Sequence, residues 1–180
     1  MQQPNLLEDR SGLYHHAAKS GLVFGLFWII KYLCVFGIFR MPLFMGLIYM
    51  GLTIYVPFMA YSLTKKYRDS LSSERFSFSH GWLFGILLYF FASILVTIPH
   101  FIFYSYILPA NLPQILDQMR SVGFDKTLLR AIETSMNEIS PIKRALGDIS
   151  NNTIWGIVFS LPVAILLKRN APISNNTNQQ

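Results

Sequence analysis

The residues able to do chemistry in this sequence are few, and most lie inside or beside long apolar blocks: Lys31, His100, and the group Asp148, Asn151 and Asn152. An ammonium, an imidazole and a carboxylate in apolar surroundings make a polar cluster of the kind that binds an ion or passes a proton. Such groups are costly in hydrocarbon and face partners or a wet cavity. Lys31, His100, Asp148 and Asn152 are therefore the candidate cluster. His15, His16 and His80 invite a haem or metal reading, since facing helices can hold a cofactor. They precede or open apolar blocks, however, and leave His100 alone at depth, so no metal and no cofactor is expected. The sequence contains no HExxH, Gly-rich phosphate loop or GxSxG elbow, and no pair of acids within an apolar block. No catalytic residue is assigned and an enzyme is not expected. Cys34 is the sole cysteine, which excludes an intrachain disulfide.

The elements that must position these residues follow from composition. Of 180 residues 52% are hydrophobic and only 13% charged, with mean hydropathy +0.38, against about 25% charged in an ordinary soluble domain. The apolar residues are gathered into blocks, which points to lipid as solvent. A helix needs about 20 of them to cross a hydrocarbon core of about 30 Å. Four segments qualify, at about 17–39, 41–63, 81–108 and 142–168, so an all-α membrane protein with four transmembrane helices is expected. The first is read as a retained helix: it is longer than a signal-peptide core, and no clear small-x-small cleavage site follows it. The fourth has a purely apolar stretch only at 153–167, about 22 Å long. Its helix is expected to begin near Pro141 or Ile142, which carries Asp148, Asn151 and Asn152 toward the membrane. Residues 1–170 form the single domain of this reading and 171–180 a disordered tail.

Between helices 3 and 4, Leu112, Ile115, Leu116 and Met119, then Leu128, Leu129, Ile132, Met136 and Ile139, recur at helical spacing. They predict two short amphipathic helices with a break at Gly123 and Phe124 and an N-cap at Asp125. Lys and Arg near helix ends set orientation. Arg10, Lys19, Lys65, Lys66, Arg68, Arg75, Lys168 and Arg169 would share one side, the cytoplasm, together with both termini. The net charge of +6 is explained by this rule, since no basic stripe with interleaved aromatics suggests nucleic acid.

Two small-residue pairs, Gly21/Gly25 in helix 1 and Gly81/Gly85 in helix 3, allow helix backbones to approach closely. Both lie near the cytoplasmic end, so helices 1 and 3 are expected to run parallel and meet at these pairs. The strings GLVFGL and GWLFGI around them hint at two duplicated hairpins. Pro57, Pro99 and Pro162 fall inside helices, where a missing N–H can produce a kink. Lys31 is expected to turn inward and find its partners among Asp148, Asn152, His100 or backbone carbonyls. Exposed to lipid, its ammonium would cost about 2.5 to 3.5 kcal/mol.

AAKSGLVFGLFWII opening helix 1, FSFSHGWLFGILLYFFASIL entering helix 3, the long amphipathic third loop and SPIKRALGDISNNTIWGIVFSLPVAILLKR together resemble the family catalogued as domain of unknown function 4199. These are small four-helix bacterial membrane proteins, and the resemblance spans nearly the whole chain. It implies a fold and a bacterial inner (cytoplasmic) membrane location, with no activity and no catalytic residues to transfer. The expected role is that of a non-enzymatic structural or accessory subunit whose partners are the lipid bilayer and a membrane protein or further copies of itself. The alternative is a small oligomeric carrier or channel with a polar path near Lys31.

Overall fold

Arg40, Met41 and Pro42 leave space only for a tight turn between the first two apolar blocks, and the chain turns there. The Arg40 and Met41 N–H groups donate to the Gly37 carbonyl at 3.1 and 3.0 Å, and Pro42 opens the next helix, where its missing N–H removes no intrahelical bond. The structure is a computed structural model that describes residues 6–71 and 76–169. Its helices are α1 (Leu6–Gly37), α2 (Pro42–Ser70), α3 (Phe78–Ile102), α4 (Leu108–Ser121), α5 (Lys126–Glu138) and α6 (Pro141–Leu167), and among the described residues there is no strand beyond one isolated bridge. Four spans, 12–37, 42–70, 78–121 and 141–167, are long and apolar enough to cross a bilayer. The chain is a multi-pass membrane protein with the all-α, four-span fold its hydropathy predicts. The suggested tail at 171–180 lies outside the described residues.

Boundaries differ from expectation where helix formation outlasts hydrophobicity. Helix α1 begins at Leu6, three turns before the apolar block, and α2 runs on to Ser70 through Lys65, Lys66 and Arg68. Polar residues with good helix propensity extend a helix once a long apolar segment has nucleated it. The junction after helix 3 is continuous: Phe103–Ile107 is a π turn that carries α3 into α4. The Leu108 N–H reaches the Phe103 carbonyl, five residues back, which widens the helix just before Pro109, a residue with no N–H of its own to donate. Helix α6 begins at Pro141 as anticipated, and the Asp125 side chain caps α5 by accepting from the Thr127 N–H at 2.6 Å.

Helix α3 is the centre of the bundle, packed most extensively on α6 and α1, while α1 also pairs with α2. Its N-terminal end is pinned to the C-terminal end of α6 by mutual backbone hydrogen bonds of 2.9 Å between Phe76 and Arg169. The core is aromatic: Phe24, Trp28 and Tyr89 lie with ring centroids 5.1–5.6 Å apart, and Tyr67 stacks on Phe84 at 4.2 Å. Small residues admit these rings. A Cβ at Gly21 or Gly25 would collide with Phe91 or Leu95 of α3, and one at Gly156 with Tyr89. Gly81 and Gly85 do not meet Gly21 and Gly25. They face Phe76, Ala164 and Ser160, so α3 turns one small-residue face to α6 and a separate face of Leu88, Ala92 and Leu95 to α1. The expectation paired the glycines by depth, but azimuth around α3 decides which neighbour each one meets.

Candidate functional site

Within this bundle α3 and α6 run antiparallel, which brings the last turn of α3 beside the first turns of α6. His100 and Asp148 consequently meet. The imidazole Nδ1 lies 2.6 Å from Asp148 Oδ2. That oxygen sits off the ring N–H axis, so the pair is close in distance without being an aligned hydrogen bond. One turn on, the Tyr104 hydroxyl donates to the same carboxylate oxygen at 3.0 Å. The Tyr32 ring of α1 closes the group edge-on against His100, with centroids 4.1 Å apart. The imidazole is buried, and its Nε2 has no partner among the described residues.

Lys31 points inward and is only 7% exposed, yet it joins none of the groups expected as its partners. Among the described residues its ammonium has no ion pair. Three rings surround it instead, with Nζ 5.4, 5.0 and 5.1 Å from the ring centres of Trp28, Tyr32 and Tyr49. Cations over aromatic faces gain about 0.5–2 kcal/mol each, most when desolvated. The cage thus partly offsets removal from water and leaves the positive charge uncompensated. Asp148 is already engaged by His100 and Tyr104, and the Tyr32 ring stands between the two groups.

Two spaces adjoin these residues. A small one of about 140 Å³ is lined by Tyr32, His100, Tyr104, Asp148, Asn151 and Asn152 among others. A larger one of about 620 Å³ has Trp28, Lys31 and Tyr89 as its floor, with walls from Tyr49 to Phe58 of α2 and from Asn151 to Phe159 of α6. Asn151 and Asn152 line both, so they are the wall between cavity and His100–Asp148 pair. The mouth of the larger cavity lies between α2 and α6, where Ile54, Phe58 and Trp155 are exposed. Those residues belong to the surface of membrane-spanning helices, so the cavity opens toward lipid.

Of the four residues expected to cluster, His100 and Asp148 touch, Asn152 lines the space between, and Lys31 occupies the neighbouring aromatic cage. Sequence reasoning missed the aromatic members. Trp28 and Tyr104 carry a usable signal, standing three residues before Lys31 and four after His100, on the same helical faces. Tyr49 and Tyr89 carry none, since only tertiary packing brings α2 and α3 to the site. His15, His16 and His80 lie at the far end of the bundle: His80 is about 30 Å along α3 from His100, and its Nε2 is 2.7 Å from the Tyr67 hydroxyl. Among the described residues no three His, Cys, Asp or Glu side chains come together as a metal site would need.

No curated protein and no solved structure matches the chain. The model of the family described as protein of unknown function (DUF4199) does match, over residues 19–169. That stretch holds every residue of the cage, the cavity and the His100–Asp148 pair, and the chain belongs to this family.

Proposed function

We propose that the protein is a non-enzymatic membrane protein of the carrier class, which takes up a small lipid-soluble molecule from the side. The observation that carries this reading is the 620 Å³ cavity that opens toward lipid between α2 and α6 and ends on the caged Lys31. Its volume is that of an ordinary small-molecule site, and its lining of mainly apolar walls with a few polar groups is of the same kind. The His100–Asp148 pair beside it supplies a site at which a proton could be held during transport. We place the chain in a bacterial inner membrane with both termini cytoplasmic, in keeping with the basic residues gathered at the ends of α2 and α6. The test is native mass spectrometry of the protein released from lipid nanodiscs. The wild type should retain a bound lipidic molecule that Thr53→Trp, which fills the mouth, expels. An unliganded mass for both would end the carrier reading.

A second reading, an accessory subunit or homo-oligomer, is favoured by α2. Only 11% of its most apolar window is buried, against 39% for the span containing α3, and Leu43, Leu47, Met50, Ile54 and Phe58 are all exposed. Disulfide crosslinking through Leu47→Cys in a Cys34→Ser background tests it. A dimer band is the expected result and its absence the refuting one.

A further inference from the structure

The polar groups in the large cavity are unbalanced in a direction that identifies its occupant. Trp28 Nε1 and Asn152 Nδ2 are donors only, and both are buried with no acceptor among the described residues. The Tyr89 hydroxyl is likewise buried and unpartnered, on a residue 1% exposed. These three residues and Lys31, from α1, α3 and α6, line one cavity that has apolar walls and no carboxylate among its described lining residues, the three neutral donor atoms lying just beneath its surface. Buried donors left unmade are costly, and charged ones more so. The unpaired Lys31 cation, which lines the space, is the group an incoming acceptor would meet.

Resting on the carrier reading above, we propose that the cavity binds the carboxylate of a single-chain lipid acid, a fatty-acid-class molecule, with Lys31 as counter-charge. The mouth fixes the rest of the molecule. Because it opens between α2 and α6 onto lipid, the acyl chain leaves past Ile54, Phe58 and Phe159 along the membrane-facing surface, and only the head and first methylenes need to fit inside.

Depth distinguishes a free acid from a phospholipid. The apolar block of α1 ends at the tight turn before Pro42, where the chain meets the headgroup layer. Lys31 lies six residues before Gly37, the last residue of α1, about 9 Å along the helix from that end, and therefore inside the hydrocarbon. A phospholipid phosphate, tied through glycerol to two chains, belongs to the headgroup layer outside that boundary. A single-chain acid has no such tether and can be drawn down to the cage, where cation–π contacts leave the ammonium free to pair. His100 and Asp148 lie behind the asparagine wall, and the Asp148 carboxylate points at His100 and Tyr104, so it does not repel the bound anion at close range.

The experiment is competitive binding to the full chain in nanodiscs, read by native mass spectrometry, with hexadecanoic acid, hexadecanol and a phosphatidylglycerol as probes. The acid should be retained about tenfold over the alcohol, equivalent to about 1.4 kcal/mol. That preference should survive Lys31→Arg and fall to about one in Lys31→Met. The wild-type ratio needs no variant, so it decides the matter even if Lys31→Met fails to fold. Equal retention of acid and alcohol overturns the carboxylate assignment and leaves the lipid cavity standing. Preference for phosphatidylglycerol overturns the single-chain source. Retention of none of the three overturns both the assignment and the carrier reading.

Discussion

At the scale of single residues, the structure separates two polar groups that the sequence suggests as one. Lys31 and Asp148 share no contact, because the carboxylate is held by His100 and Tyr104 and the ammonium by three rings. Stability effects of Lys31→Met and Asp148→Asn are therefore expected to add to within about 0.5 kcal/mol, whereas His100→Leu and Asp148→Leu should couple by about 0.5–3 kcal/mol. Thermal or denaturant unfolding in detergent of the four single variants and two doubles measures both. Rescue of Lys31→Met by Asp148→Asn would restore the direct pairing that the geometry denies. The partner of each charge was beyond the reach of sequence because apolar depth predicts only that an ionisable group needs compensation. The tertiary arrangement chooses whether a carboxylate or an aromatic cage supplies it.

At the scale of elements, the glycines behave as interfaces and not as a repeated motif. Gly85 lies against Ser160 of α6 and Gly156 against Tyr89 of α3, while Gly46 and Gly51 of α2 have nothing within 4 Å of an added Cβ. Gly85→Leu and Gly156→Leu should each lose about 1–3 kcal/mol or more through overpacking, and Gly51→Ala should be neutral or slightly stabilising. Unfolding midpoints in detergent give the ranking, and a harmful Gly51→Ala would show that α2 has a covering partner. The capped helix α5 offers a test outside the membrane. Hydrogen bonds from the Thr127 side chain, then its backbone N–H, hold the Asp125 carboxyl below the usual carboxylate range. A depressed folded-state value means that the cap stabilises α5 above the unfolded value of about 3.9 and is lost as pH falls through the lower, folded one. The Asp125 carboxyl carbon should therefore titrate by NMR below about 3.9, and Asp125→Ala should speed amide exchange across 126–130. An ordinary titration with unchanged exchange would deny the cap in solution.

At the scale of the whole molecule, odd and even spans run in opposite directions, which puts Ser70, at the end of α2, and Ser121, at the end of α4, on opposite sides of the membrane. The positive charge near the ends of α2 and α6 makes the Ser70 side cytoplasmic in our reading. In a Cys34→Ser background, an impermeant thiol reagent applied to intact cells should label Ser121→Cys and spare Ser70→Cys. The reverse pattern would invert the orientation while leaving the bundle unchanged. Helices α3 and α4 with their π turn form a continuous span of 44 residues, about 66 Å long. That exceeds any bilayer crossing, so the α4 end stands outside the hydrocarbon on the side where the Lys31 cavity lies nearest the surface.

Hydropathy and helix signals in the sequence alone determined the number of spans, the turn at Pro42, the start of α6 and the amphipathic pair after helix 3. Each of these depends on local propensity or on transfer of a contiguous segment into lipid, and both are readable along the chain. Which face of α3 meets α1 and which meets α6 was decided only in three dimensions, as were the partner of Lys31 and the existence of a cavity. In lipid every apolar face is equally comfortable, so no solvent-facing pattern labels the inside of the bundle. Steric fit between small residues such as Gly85 and Gly156 and the groups opposite them makes that choice.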